Sequence, residues 1–158
     1  MAQVKASRRE TMVTLGLVGL GGAIGTLLRY LLSEAIPTPD GLPLGILIIN
    51  VVGAFLLGAF IGFLAARDIH NEHERRLRLL IATGLMGGFT TYSAFADDSA
   101  LLLDHQRITA AVIYIAATLI FGGIASWLGI VTGRSVGNGS QPDSSAPRSN
   151  GSDSRGAA

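Results

Sequence analysis

The sequence contains no cysteine, which removes disulfides and thiolate chemistry from consideration. Charge is scarce as well. Asp, Glu, Lys and Arg make up 15% of 158 residues, too few to cover the surface of a soluble domain of this size. Histidine is limited to His70, His73 and His105, each in a polar stretch between apolar ones. Hydrolysis inside a bilayer needs a nucleophile and a base at one depth, so Ser93 has no partner for such chemistry. The alternation of roughly ten-residue segments that marks a membrane β-barrel is missing too. What the chain has instead is apolar surface: 49% of its residues, with a mean hydropathy of +0.47. These fall in continuous runs at about 12–32, 44–66, 77–103 and 108–132. Each is long enough as a helix to cross a hydrocarbon core of about 30 Å. The sequence therefore predicts an all-α integral membrane protein with one four-helix domain over 12–134, a basic arm over 1–11 and a disordered Ser/Gly-rich tail over 135–158.

The first run reads as a retained helix. Lys5, Arg8 and Arg9 resemble the basic flank of a signal peptide, and Ser33-Glu34-Ala35 a small-x-small site. The run is longer than an h-region of about 7–15 residues, however, and it carries Arg29. Arg29 either snorkels to the headgroups or places a cation at the mouth of a cavity, where it draws anions in. Asn50 is the only amide within the apolar runs. It can bond a neighbouring helix, or offer an anion a neutral donor that does not trap it by charge. In the loop over 67–78, Glu72, Arg75 and Arg76 stand at helical i, i+3 and i+4 spacing, which predicts a short surface helix. His70 and His73 are three apart, but with no third ligand they read as part of a solvated face.

The third run carries the least helix-like stretch at the depth where a helix is most needed: Gly84-Leu85-Met86-Gly87-Gly88-Phe89-Thr90-Thr91-Tyr92-Ser93-Ala94-Phe95. The glycine pair costs about 1 kcal/mol per residue in helix propensity, and two β-branched threonines follow. Non-helical backbone at that depth survives only inside protein or beside water, so a broken helix with freed carbonyls and hydroxyls at an ion is one reading. The other is a close-packing face, since Gly84 and Gly88 have GxxxG spacing. Similar spacings at Gly21/Gly25, Gly58/Gly62 and Gly129/Gly133 suggest that the four antiparallel-packed helices pack closely, in part between subunits. Beyond the stretch, Thr91, Phe95 and Asp98 share one helical face, so Asp98 could cap a pathway or hold Arg29, while Asp97 points elsewhere. On the fourth run Tyr114, Thr118, Gly122 and Ser126 recur every four residues as a polar track, although Thr118 and Ser126 could equally bond back to their own helix. Hydroxyls, one amide and aromatic rings with a cation near the mouth suit a small anion. A proton-coupled multidrug exporter of four-helix size is the rival, with Asp97 and Asp98 as its only buried carboxylates.

Three motifs together resemble the Fluc (CrcB) fluoride channels: Gly21-Gly22-x-x-Gly25-x-x-x-Arg29-Tyr30, then Gly45-x-Leu47-x-Ile49-Asn50-x-x-Gly53-x-Phe55-x-x-Gly58, and Gly87-Gly88-Phe89-Thr90-Thr91-Tyr92-Ser93-x-Phe95. The resemblance runs from Gly16 to about Gly133. It implies an antiparallel dimer with two pores along the subunit interface, passive export of fluoride across the cell inner membrane, and a structural Na⁺ at the dimer centre. Carbonyls at the positions of Gly87 and Thr90 would hold that ion. Tyr92 and Phe95 match the pore rings, which turn their positive edges to the anion. Asn50 matches the pore amide, Ser93 a pore-side hydroxyl, and Tyr114, Thr118 and Ser126 the polar track. Tyr92 replaces the usual phenylalanine, Ala94 and Ala96 replace hydroxyl residues, Ile46 a threonine, and Asp98 a glutamate. Charge adds one departure. Lys5, Arg8, Arg9, Arg67, Arg75, Arg76, Arg78 and Arg134 all fall on the side of the N-terminus, against Arg107 on the other. Basic short loops stay cytoplasmic, so both termini are expected inside, and an antiparallel pore then calls for a second, oppositely oriented chain.

Overall fold

The computed structural model describes residues 8–67 and 71–139; Lys5, Asp68, His70 and the tail from residue 140 lie outside them. Helix α1 spans Arg8–Ala35, so the basic arm is helical from Arg8 onward. A 3₁₀ turn at Pro39–Gly41 reverses the chain, with Gly41 at φ 68°. Helix α2 follows over Leu44–Arg67. The expected surface helix is α3, Glu72–Leu77. Asn71 caps it, its Oδ1 accepting from the Glu74 N–H at 2.9 Å, and Glu72 accepts from both Arg75 and Arg76. The third span continues from α3 without a turn: a π-helical segment Arg78–Leu85, then α4 over Met86–Phe89, and after an interruption α5 over Tyr92–Asp104. Helix α6, Ile108–Asn138, closes the fold and carries the first residues of the expected tail. Four stretches are long and apolar enough to cross a membrane: Arg8–Ala35, Leu44–Arg67, Glu72–Asp104 and Ile108–Asn138.

Neighbours in sequence are not the closest neighbours in space. Span one packs on span three, and α2 packs on α6. A Cβ at Gly84 would lie 2.8 Å from the Val18 carbonyl, one at Gly88 would strike Gly22, and one at Gly25 would lie 2.8 Å from the Phe89 N–H nitrogen. Contacts climb both helices together, so this pair is parallel. In the same way Gly58 and Gly62 meet Ser126 and Ile130, while Gly129 and Gly133 meet Phe55 and Ala59. The expectation of antiparallel-packed helices is corrected: a chain that crosses up, down, up and down makes its first and third spans parallel, and its second and fourth. Glycine decides the pairing because only a missing Cβ lets two backbones touch. The interior is accordingly thin. Ile49 is the largest side chain that is fully buried, whereas Leu27, Tyr30, Ile113 and Trp127 are among many large apolar residues left exposed by a single chain.

Candidate functional site

The helix breaks at Thr90-Thr91, not at the glycine pair. Gly87 and Gly88 remain helical within α4, because Gly88 is spent on contact with Gly22. Thr90 (φ −79°, ψ 147°) and Thr91 (φ −143°, ψ 124°) are extended. An interruption and a close-packing face thus occur two residues apart: glycines pack, threonines break.

Asn50 supports the break. Its Nδ2 donates to the Thr91 carbonyl at 3.2 Å, and its Oδ1 accepts from the Thr91 N–H at 2.9 Å. In an unbroken helix that N–H would bond the Gly87 carbonyl. Diverting it frees Gly87, and the extended threonines deprive Gly88 and Phe89 of their own i+4 partners. Three residues along α2, Gly53 leaves room for the Thr90 methyl and for the Phe89 ring, whose Cδ1 a Cβ would meet at 3.1 Å. Thr90 itself closes α4, its N–H and its hydroxyl both donating to the Met86 carbonyl at 2.9 and 2.8 Å. Thr91 opens α5 as its cap, its Oγ1 accepting from the Ala94 N–H at 3.2 Å and lying 3.0 Å from the Ser93 Oγ. The interruption thus presents two helix ends of opposite polarity: carbonyls closing α4 and N–H groups opening α5.

An aromatic line runs on from the break. Tyr92 and Phe95 have ring centroids 6.0 Å apart, and Phe95 and Tyr114 5.6 Å. Tyr92 is 81% exposed and Tyr114 4%, so the line leads from the open face of the chain into its interior. There the Tyr114 hydroxyl donates to Asp98 Oδ2 at 3.3 Å. The Thr118 hydroxyl bonds back to the Tyr114 carbonyl at 2.8 Å.

Asn50, Tyr92, Ser93, Phe95, Tyr114 and Thr118 are therefore gathered along one path. Ser126, about 12 Å farther along α6 at 1.5 Å per residue, lies against Gly58 in the α2 seam, apart from the rings. Arg29 stands one turn beyond Gly25, level with the break, and its Nε is buried without a partner among the described residues. Of the two roles open to Asp98, capping a pathway or holding Arg29, the second is not taken up; the Asp98 carboxylate meets Tyr114 instead. Sequence reasoning passed over the backbone of Thr91 and the space at Gly53. The lone amide could have pointed to the first, since an amide in an apolar span and an interrupted backbone both need partners. His70 lies outside the described residues, and no group of metal-ligating side chains occurs among those described.

A profile of the family described as "CrcB-like protein, Camphor Resistance (CrcB)" matches residues 16–130. The chain belongs to the CrcB family. It is 43% identical over 121 residues to the fluoride-specific ion channel FluC 2 of Leifsonia xyli subsp. xyli, covering 77% of this chain and 83% of that one. It is 42% identical over 119 residues to the fluoride-specific ion channel FluC of Sorangium cellulosum, covering 74% and 91%. With the FluC of Aquifex aeolicus the identity is 38% over 121 residues, covering 75% and 95%. The matched segment of the CrcB chain reaches into all four spans and contains the break.

Proposed function

We propose that this CrcB protein is a passive fluoride channel and not an enzyme, with its ion path beginning at the Thr90-Thr91 break. The observation that carries this is the Asn50 clamp on Thr91, which holds an irregular backbone open beside the line Tyr92, Phe95 and Tyr114. A small anion entering a membrane must exchange its water shell for donors that do not bind it permanently. Neutral groups suit this: the second N–H of Asn50, the hydroxyls of Thr91 and Ser93, the N–H groups opening α5 and the ring edges of Tyr92 and Phe95. Arg29 supplies a positive field at the same level. Thr118 continues the path along α6, whereas Ser126 stands off it in the α2 seam.

The carbonyls of Gly87 and Thr90 would hold a structural Na⁺ at the end of α4. Their chemistry fits, since Gly87 is released from its helix and both are hard oxygen donors at the negative end of a helix. One chain offers too few such oxygens to replace a hydration shell. A second copy or a related chain, packed antiparallel, would complete both this site and the face on which Tyr92 stands open. The bias of arginines toward the N-terminal side favours a heterodimer with an oppositely oriented relative, both termini of this chain lying in the cytoplasm and the pair spanning the inner membrane.

The exporter alternative is not favoured: the relatives are named fluoride-specific ion channels, and Asp98 is engaged by Tyr114. Liposomes loaded with fluoride test the reading. Fluoride should leave down its gradient without a proton gradient while chloride stays; efflux that needs a proton gradient, or equal chloride efflux, overturns it. Accessibility labelling of the Pro39–Gly41 turn and the C-terminus tests the orientation. Mixed orientation, with efflux from this chain alone, would remove the need for a second one.

A further inference from the structure

Between the first turns of α1 and the short helix α3 lies a cleft of about 410 Å³, lined by Arg9, Glu10, Val13, Glu72, Arg75 and Arg76. It is remote from the break and takes no part in the proposed ion path. Arg75 grips Glu72 with Nε and Nη2 at 2.9 and 2.8 Å, and Arg76 Nε reaches the same carboxylate at 3.0 Å. These bonds, Arg75 foremost, hold the Glu72 carboxyl down to about 2, so it stays ionised and fixes both guanidiniums. Among the described residues, Arg9 and the two terminal nitrogens of Arg76 have no acceptor. The lining is net positive and presents fork-shaped donors of the geometry that phosphate oxygens accept.

Its surroundings specify the kind of phosphate. Val13 lines the cleft, and Met12 and Leu77, next in sequence to the lining residues Val13 and Arg76, are 64% and 47% exposed. Here the apolar part of α1 begins, so the cleft straddles the boundary between headgroups and hydrocarbon. We propose that it seats the phosphodiester headgroup of an anionic phospholipid, with Arg9 and Arg76 on the phosphate oxygens and the acyl chains running over Val13 and Leu77. A lipid so held links α1 to α3 on the side that carries the excess of arginine.

The test uses the full chain in phosphatidylcholine nanodiscs with added phosphatidylglycerol, counting retained lipid by native mass spectrometry. The control is Arg134→Gln, which removes an exposed arginine of the same side outside the cleft. A lone surface arginine contributes about 1 kcal/mol, or roughly fivefold, to retention of an anionic lipid. Two surface arginines alone would account for roughly thirtyfold, so the double variant Arg9→Gln/Arg76→Gln should lose roughly a hundredfold or more, and Arg134→Gln no more than the single surface value. Circular dichroism on each variant confirms that the helices are intact. A loss of roughly thirtyfold or less in the double variant, which two ordinary surface arginines would explain, would overturn the proposal. So would inorganic phosphate displacing the lipid from the parent protein, since the cleft would then be a site for the free ion.

Discussion

Along α2 and α6, Gly58, Gly62, Gly129 and Gly133 bring two backbones into contact, and both helices run unbroken. Along α1 and the third span, Gly21, Gly25, Gly84 and Gly88 do the same, yet the third span comes apart two residues after Gly88. Spacing of small residues therefore reports how close two helices come and says nothing about whether either continues. What separates the two seams is hydrogen bonding. On α6 the hydroxyls of Thr118, Thr132 and Ser135 turn back to their own helix and leave the ladder intact. At Thr91 a side chain from another helix takes both backbone groups, and the ladder cannot pass.

The largest effect is expected in the intact seam. A Cβ at Gly62 would fall on the backbone of Ile130, which has no rotamer to yield. Gly62→Ala should cost about 3 kcal/mol or more, the upper part of the overpacking range, and reduce recovery of monodisperse protein in detergent. Gly122 on α6 has nothing within 4 Å, so Gly122→Ala should leave melting unchanged or raise it by up to about 1 kcal/mol of helix propensity. Equal melting temperatures for the two variants would show that the seam is not backbone against backbone.

Asn50→Ala comes next and acts on the break. It strips partners from the Thr91 N–H and carbonyl, at about 1–3 kcal/mol for each group left unpaired. The chain can recover part of this by letting the Thr91 N–H return to Gly87, which mends the helix and removes the irregular backbone. Stability should thus fall moderately while fluoride efflux falls roughly tenfold or more, the factor that about 1.4 kcal/mol of lost preorganisation implies. Efflux at the parent level would mean that Thr90 and Thr91 stay extended unaided.

Much of this contrast was legible in the residues. Apolar run length gave four spans and no strands, and the lone amide, the threonine pair and the rings were each singled out. Two things were not legible. Partner choice among the helices depends on which Cβ-less faces meet in space, and GxxxG spacing is the same in every span. The site of the break was hidden because Gly87 and Gly88 weaken a helix more than threonine does by propensity, whereas tertiary contact with Gly22 keeps Gly88 helical and Asn50 opens the chain at Thr91. Helices α1 and α6 extend beyond their apolar runs for a related reason: Arg8 and Ser135 are polar, but a helix ends where its backbone bonding ends, not where its apolar run does.

Gly87 sharpens the comparison from the other side of the third span. It is exposed and has nothing within 4 Å, so Gly87→Ala meets no obstacle inside one chain. Melting of the folded chain should hold steady or rise slightly. Any loss of efflux then reports what approaches from outside, a cation or a second subunit. A several-fold loss in Gly87→Ala, with Thr90→Ser close to the parent, is the expected pattern for a carbonyl ligand. Parent-level efflux in both variants would take Gly87 out of the cation site.

The smallest effect lies where neither seam nor break operates, on α3 at the head of the third span. Glu72 holds Arg75 and Arg76 in the open, and its carboxyl is lowered from 4.5 to about 2, first by the hydrogen bond from Arg75 and then by that from Arg76. A carboxyl whose folded value is depressed adds stability that is complete above its unfolded value and disappears as pH falls through the folded one. The parent should therefore melt slightly above Glu72→Gln at neutral pH, the gap should begin to shrink below pH 4.5, and it should close near pH 2. Full exposure keeps the gap small and lets salt narrow it further, as for other surface pairs. A gap that survives at the acid end would have to come from the Gln side chain rather than from the lost charge.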